Sequence, residues 1–460
     1  MTKTIQIVPQ PRGEDESRPA TPSGWLSRFA VLLVLLVGAG ARGAFSQALP
    51  AAEAAPISTG FSLPLTAGTL QYAVSASESL IWGYYSNSGV ASSANVTGDV
   101  AYISNSKRDP FSMILSGGHA FSTGGQPSFN YVSLALSQVI AVGRWSFVLS
   151  DSVSYIPSTP AGGLSGVPGV GDLGVPPVQV GNDTGQGVLT NYSSRVSNSA
   201  SGSAQRQITS RTSASASGSY SILRFLNTTN NSNTQGLDSD SLSAQGGVSH
   251  QFNERNTMGG SYSYSNYTFV GNTFDLPAYD FHSQTASLQF THKFTRKLGM
   301  SAAAGPQWTT IQATTSSSSL NLFADVSASY AGKFTHSALD YVHSTNGGYG
   351  ASAGGLSDSV QFSAARIFAR VWSGAVSSSY THTASLPTPG LTSYSFHTTV
   401  AGVQVSRAIA RSLSTYASYT LEKQSTHGSV VSAIDLFIGS SHVVGFGITY
   451  SPTSIHIGRP

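Results

Sequence analysis

From about Ser79 onward the chain runs in short segments with large apolar residues at every second position, broken by clusters of Gly, Asn, Ser and Pro. In Val443-Val444-Gly445-Phe446-Gly447-Ile448-Thr449-Tyr450-Ser451, one face carries Val444, Phe446, Ile448 and Tyr450, and the other mainly Gly, Thr and Ser. The same alternation governs Trp145-Ser-Phe147-Val-Leu149-Ser, Ala286-Ser-Leu288-Gln-Phe290-Thr and Leu322-Phe-Ala324-Asp-Val326-Ser-Ala328-Ser-Tyr330. Side chains alternate across a strand, so a period of two specifies sheet with one apolar face. No segment of helical period is available to cover that face. On a soluble protein it would be a very large exposed patch unless a second layer hid it.

Composition narrows the choice. Charged residues make up 9% of the chain and mean hydropathy is −0.02, whereas soluble domains carry about 25% charge. Ser, Thr, Gly, Asn and Tyr take the place of charge, which suits a sheet with one lipid-facing side and one uncharged polar side. Brief turns centre on Lys107-Arg108-Asp109, Val142-Gly143-Arg144, Asn253 to Asn256, Thr295 to Lys297, Ala331 to Lys333, Ile367 to Arg370 and Ala408 to Arg411. They alternate with longer polar stretches at 155–190, 223–240, 270–279, 312–318, 382–392 and 423–440. Short turns at one end and long loops at the other distinguish membrane barrels from soluble sandwiches. The expected fold is all-β, a single antiparallel transmembrane β-barrel of about 18 strands (16–18), with both ends of the chain on one side. A soluble β-sandwich or an adhesive β-solenoid is the competing reading.

The opening residues carry Lys3, Arg12, Arg18 and Arg28, then the apolar run Phe29 to Val37, then small residues. That order is the order of a secretory signal peptide, and the run falls short of the roughly 20 residues that a spanning helix needs. The expected organisation is a signal peptide over 1–44, cleaved between Ala41 and Ala48; a periplasmic arm over 45–66; the barrel over 67–452; and a tail over 453–460. There are no cysteines, so disulfides and thiolate metal sites are excluded. Five of the 23 Lys and Arg and three of the 20 Asp and Glu precede Ala44, leaving 18 against 17. A near-neutral chain cannot neutralise a row of phosphates, which sets nucleic acid aside.

Motifs for catalysis are weak. Gly169-Val-Gly171-Asp-Leu-Gly174 matches a dinucleotide string but lies among prolines with no strand before it or helix after it. Gly350-Ala-Ser352-Ala-Gly354 matches a nucleophile elbow but no helical period follows. No catalytic residue, cofactor or metal site is expected, and the chain is read as a non-enzyme. The candidate pore-lining residues are Asp325, Asp340 and His336: counting outward from Ala331 to Lys333 puts the two carboxylates almost opposite each other and turns them toward the lumen. The long 155–190 loop carries Pro157, Pro160, Pro168, Pro176 and Pro177 and recurring apolar residues. Its Leu164, Val167, Pro168, Val170, Asp172 and Leu173 are the candidates for a constriction, by folding into the barrel mouth; packing over the outer rim is the other course. A periplasmic basic rim is expected from Lys107, Arg108, Arg144, Arg255, Arg296, Lys297, Lys333, Arg370 and Arg411, either attracting anionic head groups or simply solvating turns.

Gly305-Pro-Gln-Trp308, Ser344-Thr-Asn-Gly-Gly348, Gly163 to Gly171 and Gly445-Phe-Gly-Ile-Thr-Tyr-Ser-Pro452 give the chain a resemblance over about residues 65 to 455. It resembles porin-like outer-membrane β-barrels, and in detail uncharacterised acidobacterial outer-membrane barrel proteins. The resemblance implies architecture and brings no activity with it. It departs from many such barrels after Tyr450, where Ser-Pro-Thr-Ser-Ile-His-Ile-Gly-Arg-Pro460 follows the last aromatic residue. The function expected is an outer-membrane, porin-like channel for passive diffusion of small solutes. Its expected partners are outer-membrane lipids, the barrel-assembly machinery and the solutes themselves, and a homo-oligomer is left open. The alternatives are a non-conducting surface or adhesion barrel that displays loops, and a barrel lipid hydrolase.

Overall fold

The computed structural model describes residues 68–83, 90–104, 106, 109–122, 128–157, 194–226, 238–270, 280–312, 316–347, 354–386, 394–428 and 438–457. In chain order the strands are β1 (Gly68–Gly83), β2 (Ala91–Ser104), β3 (Phe111–Ser122), β4 (Phe129–Val142), β5 (Trp145–Pro157) and β6 (Ser194–Gln207). There follow β7 (Thr212–Leu226), β8 (Asp238–Gln251), β9 (Asn256–Val270), β10 (Asp280–Lys293), β11 (Leu298–Gln312) and β12 (Ser316–Ala331). The last are β13 (Thr335–Asn346), β14 (Gly355–Ala369), β15 (Trp372–Ser385), β16 (Tyr394–Ala410), β17 (Leu413–Gly428), β18 (Gly439–Tyr450) and the short β19 (Ile455–Ile457). Each of β1 to β18 pairs antiparallel with its neighbours in sequence, and β1 closes on β18 from Val74↔Tyr450 to Gly83↔Ser441. The all-β reading and the count of 18 long strands both hold. The stretch from Thr69 is one strand, and the tail residues Ile455–Ile457 add to β1 at Gly68–Leu70.

Stepping once round the ladder through its registers returns to β1 displaced by about 22 residues. With strands ~4.8 Å apart and ~3.4 Å of rise per residue, that stagger corresponds to a tilt of about 40° and a radius of about 18 Å. A shell this wide leaves room inside for more than its own side chains.

Which face is outside follows from exposure. Leu288, Phe290, Leu320, Leu322, Phe446 and Ile448 are exposed, while the opposite faces bury Ser75, Ser77, Thr97, Thr398, Gln424 and Thr449. In a single-layer closed sheet the concave face is the covered one, so the apolar residues face outward and the hydroxyls inward. Exposed aromatics sit near both ends of the outer face. Trp145, Phe252, Phe294 and Trp372 lie toward the short turns, and Phe121, Trp308 and Tyr380 toward the loops. These are the girdles expected where an apolar band meets water.

The short turns share a local device. At Thr209, Asn253 and Thr295 the side-chain oxygen accepts from the backbone N–H groups two and three residues on, at 2.8–3.2 Å. Asn and Thr suit this role because their short polar side chains close such turns themselves. Between β4 and β5 the turn instead uses Gly143 at φ +62. Basic residues follow the turn formers: Arg211, Arg255, Lys297 and Arg144. Arg206 and Arg407 lie over the rings of Trp145 and Trp372, both at 5.3 Å.

One mid-strand irregularity has a sequence cause. The β10–β11 ladder skips the level of Ala286–Ser287 and Gly305–Pro306, because proline has no N–H to donate. A Cβ on Gly305 would stand 1.8 Å from the Ala286 carbonyl oxygen. Gly305→Ala is therefore expected to destabilise the barrel by about 1–3 kcal/mol, the usual range for forced overpacking. Urea unfolding in lipid vesicles followed by tryptophan fluorescence checks it; an unchanged midpoint would mean that the strands part freely at this level.

Candidate functional site

The lumen wall is built from the small polar residues that alternate with the apolar ones. Across it, hydroxyls bond in pairs: Ser150 with Ser201 (2.5 Å), Ser154 with Ser197 (2.6 Å), Ser213 with Ser249 (2.8 Å), Ser261 with Ser287 (2.9 Å) and Ser301 with Ser327 (2.6 Å). Ser373 with Ser406 (2.6 Å) and Ser75 with Thr97 continue the pattern. Such cross-strand pairs stabilise a sheet by roughly 0.2–1 kcal/mol each. Serine on β6 and β7 has no large neighbour on the outer face to announce it, since Ala200, Gly202, Ala214 and Ala216 stand there. Two tyrosines lie flat along the wall. A Cβ on Gly118 would meet the Tyr131 hydroxyl at 2.4 Å, and one on Gly447 the Tyr416 ring at 2.5 Å, so glycine is what lets each tyrosine lie against the strands.

The alternation turns four carboxylates inward among the described strands: Asp99, Asp325, Asp340 and Glu422, the first and last of them buried. Asp325 pairs with Val342 and Asp340 with Ser327. The two aspartates are thus diagonal neighbours on adjacent strands, where the sequence count set them almost opposite. His336, near the short-turn end of β13, also points inward, beside Ser373, Gln404 and Ser406.

Some charges on the outer face have polar partners on the adjacent strand, which the sequence reading did not anticipate. Arg224 donates to Asp240 at 2.7 Å, Asn198 to Asp151 at 2.8 Å, and His343 Nδ1 lies 2.6 Å from Asp358. Pairing lowers the penalty for a charge close to the apolar band.

The other sequence candidates divide. Arg144, Arg255, Arg296, Lys297, Lys333, Arg370 and Arg411 all fall at the short-turn end. Lys107 and Arg108 lie outside the described residues, as do the opening segment to residue 67 and the loop with Leu164, Val167, Pro168, Val170, Asp172 and Leu173.

A narrowing does exist among the described residues, and β13 and β14 make it. The β12–β13 ladder ends at Ala324↔His343, although β12 continues to Ser316 and β13 to Asn346. Beyond that point β13 steps inward across β12. The Thr345 N–H and hydroxyl donate to Gln307 Oε1 at 3.0 and 3.1 Å, and its hydroxyl lies 3.2 Å from that of Thr309. Gln307 and Thr309 belong to β11 and point into the lumen. At the loop-side mouth Gly347 abuts the ring of Tyr267, and Gly354 abuts Phe281 and Leu386. Phe269, Phe281, Ile311 and Leu386 form a buried apolar cluster with Tyr267 against it. A second apolar cluster, Ile81, Ala91 and Val443, lies on the same face, and hydroxyls line much of the rest.

No protein-family model matches the sequence, and no curated protein matches it. Solved structures with a similar outline include OpdQ of Pseudomonas aeruginosa, 10% identical, with 84% of this chain and 99% of that one covered and a TM-score of 0.40. OccK2 (OpdF) of the same organism, in complex with glucuronate, is 10% identical over 84% and 98% with a TM-score of 0.41. The ferric-catecholate import receptor Fiu of E. coli K12 is 9% identical over 83% and 81% with a TM-score of 0.40. Likenesses this distant are to barrel outline, and nothing about solute or mechanism is carried over from them.

Proposed function

We propose that the protein is a channel of a bacterial outer membrane through which small polar solutes diffuse passively, with a preference for neutral and cationic ones. The observation that supports this is an inner wall lined largely by serine and threonine hydroxyls, from which Asp325 and Asp340 project, with Asp99 and Glu422 buried behind it. Hydroxyls exchange hydrogen bonds with water or sugars at little cost, and inward carboxylates raise the local concentration of cations. The short turns face the periplasm in this reading. Their basic residues and neighbouring aromatics then meet phospholipid head groups, each cation adding roughly 1 kcal/mol near an anionic surface. The 155–190 loop is proposed as a further narrowing from the opposite side.

Planar-bilayer recording of the refolded protein tests the reading. Discrete conductance steps are expected, and a silent but folded barrel would instead favour a display or adhesion role. In a salt gradient the reversal potential should indicate cation preference and move toward the neutral value in the Asp325→Asn, Asp340→Asn double variant. An identical reversal potential in the two proteins would remove these carboxylates from the selectivity of the pore.

A further inference from the structure

Strand pairing in this barrel fails at one place where both strands continue. Ala324↔His343 is the last β12–β13 pair, so Ser344, Thr345 and Asn346 do not meet Phe323, Leu322 and Asn321. β12 remains paired to β11 through this stretch, and β13 to β14. Each thus keeps one partner, and each presents one edge without a ladder at the same level. The level is defined by Trp308, which pairs with Leu320 and belongs to the outer girdle near the loop end. Leu320 and Leu322 face outward there and are among the most exposed apolar side chains of the barrel. Backbone groups without ladder partners at membrane depth are tolerated only where they line a water-filled cavity or are buried in protein. At the seam protein holds them: Thr345 and Asn346 are buried, the Thr345 N–H donates to Gln307 Oε1 and the Ser344 carbonyl accepts from Ser357 Oγ, so the ladder is interrupted there without stranding these groups.

Side chains, not ladder bonds, hold β13 in its inward position. Gln307 and Thr309 of β11 bond Thr345, and Phe281 and Leu386 receive the mouth of the hairpin at Gly354. Such a latch is independent of the barrel ladder, and its release would let three residue pairs resume the β12–β13 register. The same step inward places the apolar cluster of Phe269, Phe281, Ile311 and Leu386 on the lumen side of the seam. Leu320 and Leu322 stand on its lipid side.

We propose that the β12–β13 seam is a lateral port, through which neutral compounds with an aromatic or alkyl portion pass between the lumen and the outer leaflet. The port opens when β13 is latched on β11 and closes when β13 pairs with β12. This rests on the barrel being an open outer-membrane channel, and it adds a second exit for a second class of solute.

The chain has no native cysteines, so a double variant, Phe323→Cys with Ser344→Cys, reports on the seam and leaves the Thr345 latch in place. A continued ladder would set these two residues opposite each other, with Cα atoms about 4.5–5.5 Å apart, within reach of a disulfide. Cells carrying the variant are exposed to N-phenylnaphthylamine, a neutral aromatic dye that fluoresces on entering lipid. Swelling of arabinose-loaded liposomes containing the same protein reports the axial channel. The reduced variant should admit the dye, and oxidation should lower its entry to that of cells without the barrel while leaving arabinose swelling unchanged. Equal dye entry before and after complete oxidation would overturn the port. So would failure of the disulfide to form both here and after Gln307→Ala with Thr309→Val removes the latch. Loss of arabinose swelling in the reduced protein, with dye entry intact, would instead remove the axial channel and leave the port standing.

Discussion

Leu288→Arg should lower the unfolding free energy of the barrel by about 2–4 kcal/mol, the cost of a cation facing lipid near the bilayer midplane. Leu288 is 64% exposed on the outer face of β10, five residues before the strand ends at Lys293. At the tilt set by the stagger, those five residues raise it about 13 Å above the short-turn end, half the height of an apolar band of ~25 Å. Gln289 is its neighbour on the strand and is equally open but faces the lumen. Gln289→Arg should therefore change stability by no more than about 0.5 kcal/mol, as at an ordinary wetted surface. Urea unfolding of both variants in the same vesicles compares them, and equal costs would refute the assignment of inner and outer faces.

That assignment was legible in the sequence wherever a large apolar residue recurs with period two. Val444, Phe446, Ile448 and Tyr450 mark β18 unaided, and Gly143-Arg144 marks the turn between β4 and β5. The hairpin of β6 and β7 was harder, since serine alternates there with alanine and glycine and contrast between the faces is low. Its turn at Thr209 to Thr212 carries the same side-chain closure as Asn253 to Asn256, and that chemistry was the available signal. Register was legible only to within the placement of a turn. The closing pair before the β12–β13 turn is Ala331↔His336, which centres the turn one and a half residues beyond Gly332, the middle of Ala331 to Lys333. That shift moves every partner by three, so Asp325 faces Val342 rather than Leu339, and Asp340 goes from almost opposite to diagonal. A diagonal pair is separated by ~7–8 Å between backbones rather than ~5 Å, so mutual repulsion is weaker than direct opposition would produce.

The inward step of β13 had no local signature. Thr345 and Gln307 are 38 positions apart, and nothing in Ser344-Thr-Asn-Gly-Gly348 distinguishes a strand that leaves its neighbour from one that stays. The outer-face pairs are non-local in the same way: Asp151 and Asn198 are 47 positions apart. Only Gly305-Pro306 hinted at trouble. Pro306 faces Leu322 and Gly305 faces Phe323 in the β11–β12 register, the very residues at which β12 loses β13. The break in the β10–β11 ladder and the parting of β12 from β13 thus lie at one level of the wall, on both flanks of the β11–β12 pair.

If the mouth of the β13–β14 hairpin is held by apolar packing, Phe281→Ala should have two effects that separate. Phe281 is fully buried, stacks on Tyr267 at 4.5 Å between ring centroids and touches the position of Gly354. Truncating a phenylalanine so enclosed costs about 3–5 kcal/mol through lost burial and the cavity left behind. Here the cavity opens on the lumen. The ladder bonds of β10 to β9 and β11 do not involve the ring, so the barrel should still close and refold, with a lower urea midpoint. Single-channel conductance should rise at the same time, because the hairpin loses the surface that holds it across the lumen. A less stable barrel with unaltered conductance would show that Phe281 is a packing residue alone. Unaltered conductance would also leave the Gln307, Thr309 and Thr345 hydrogen bonds as what holds the hairpin in place.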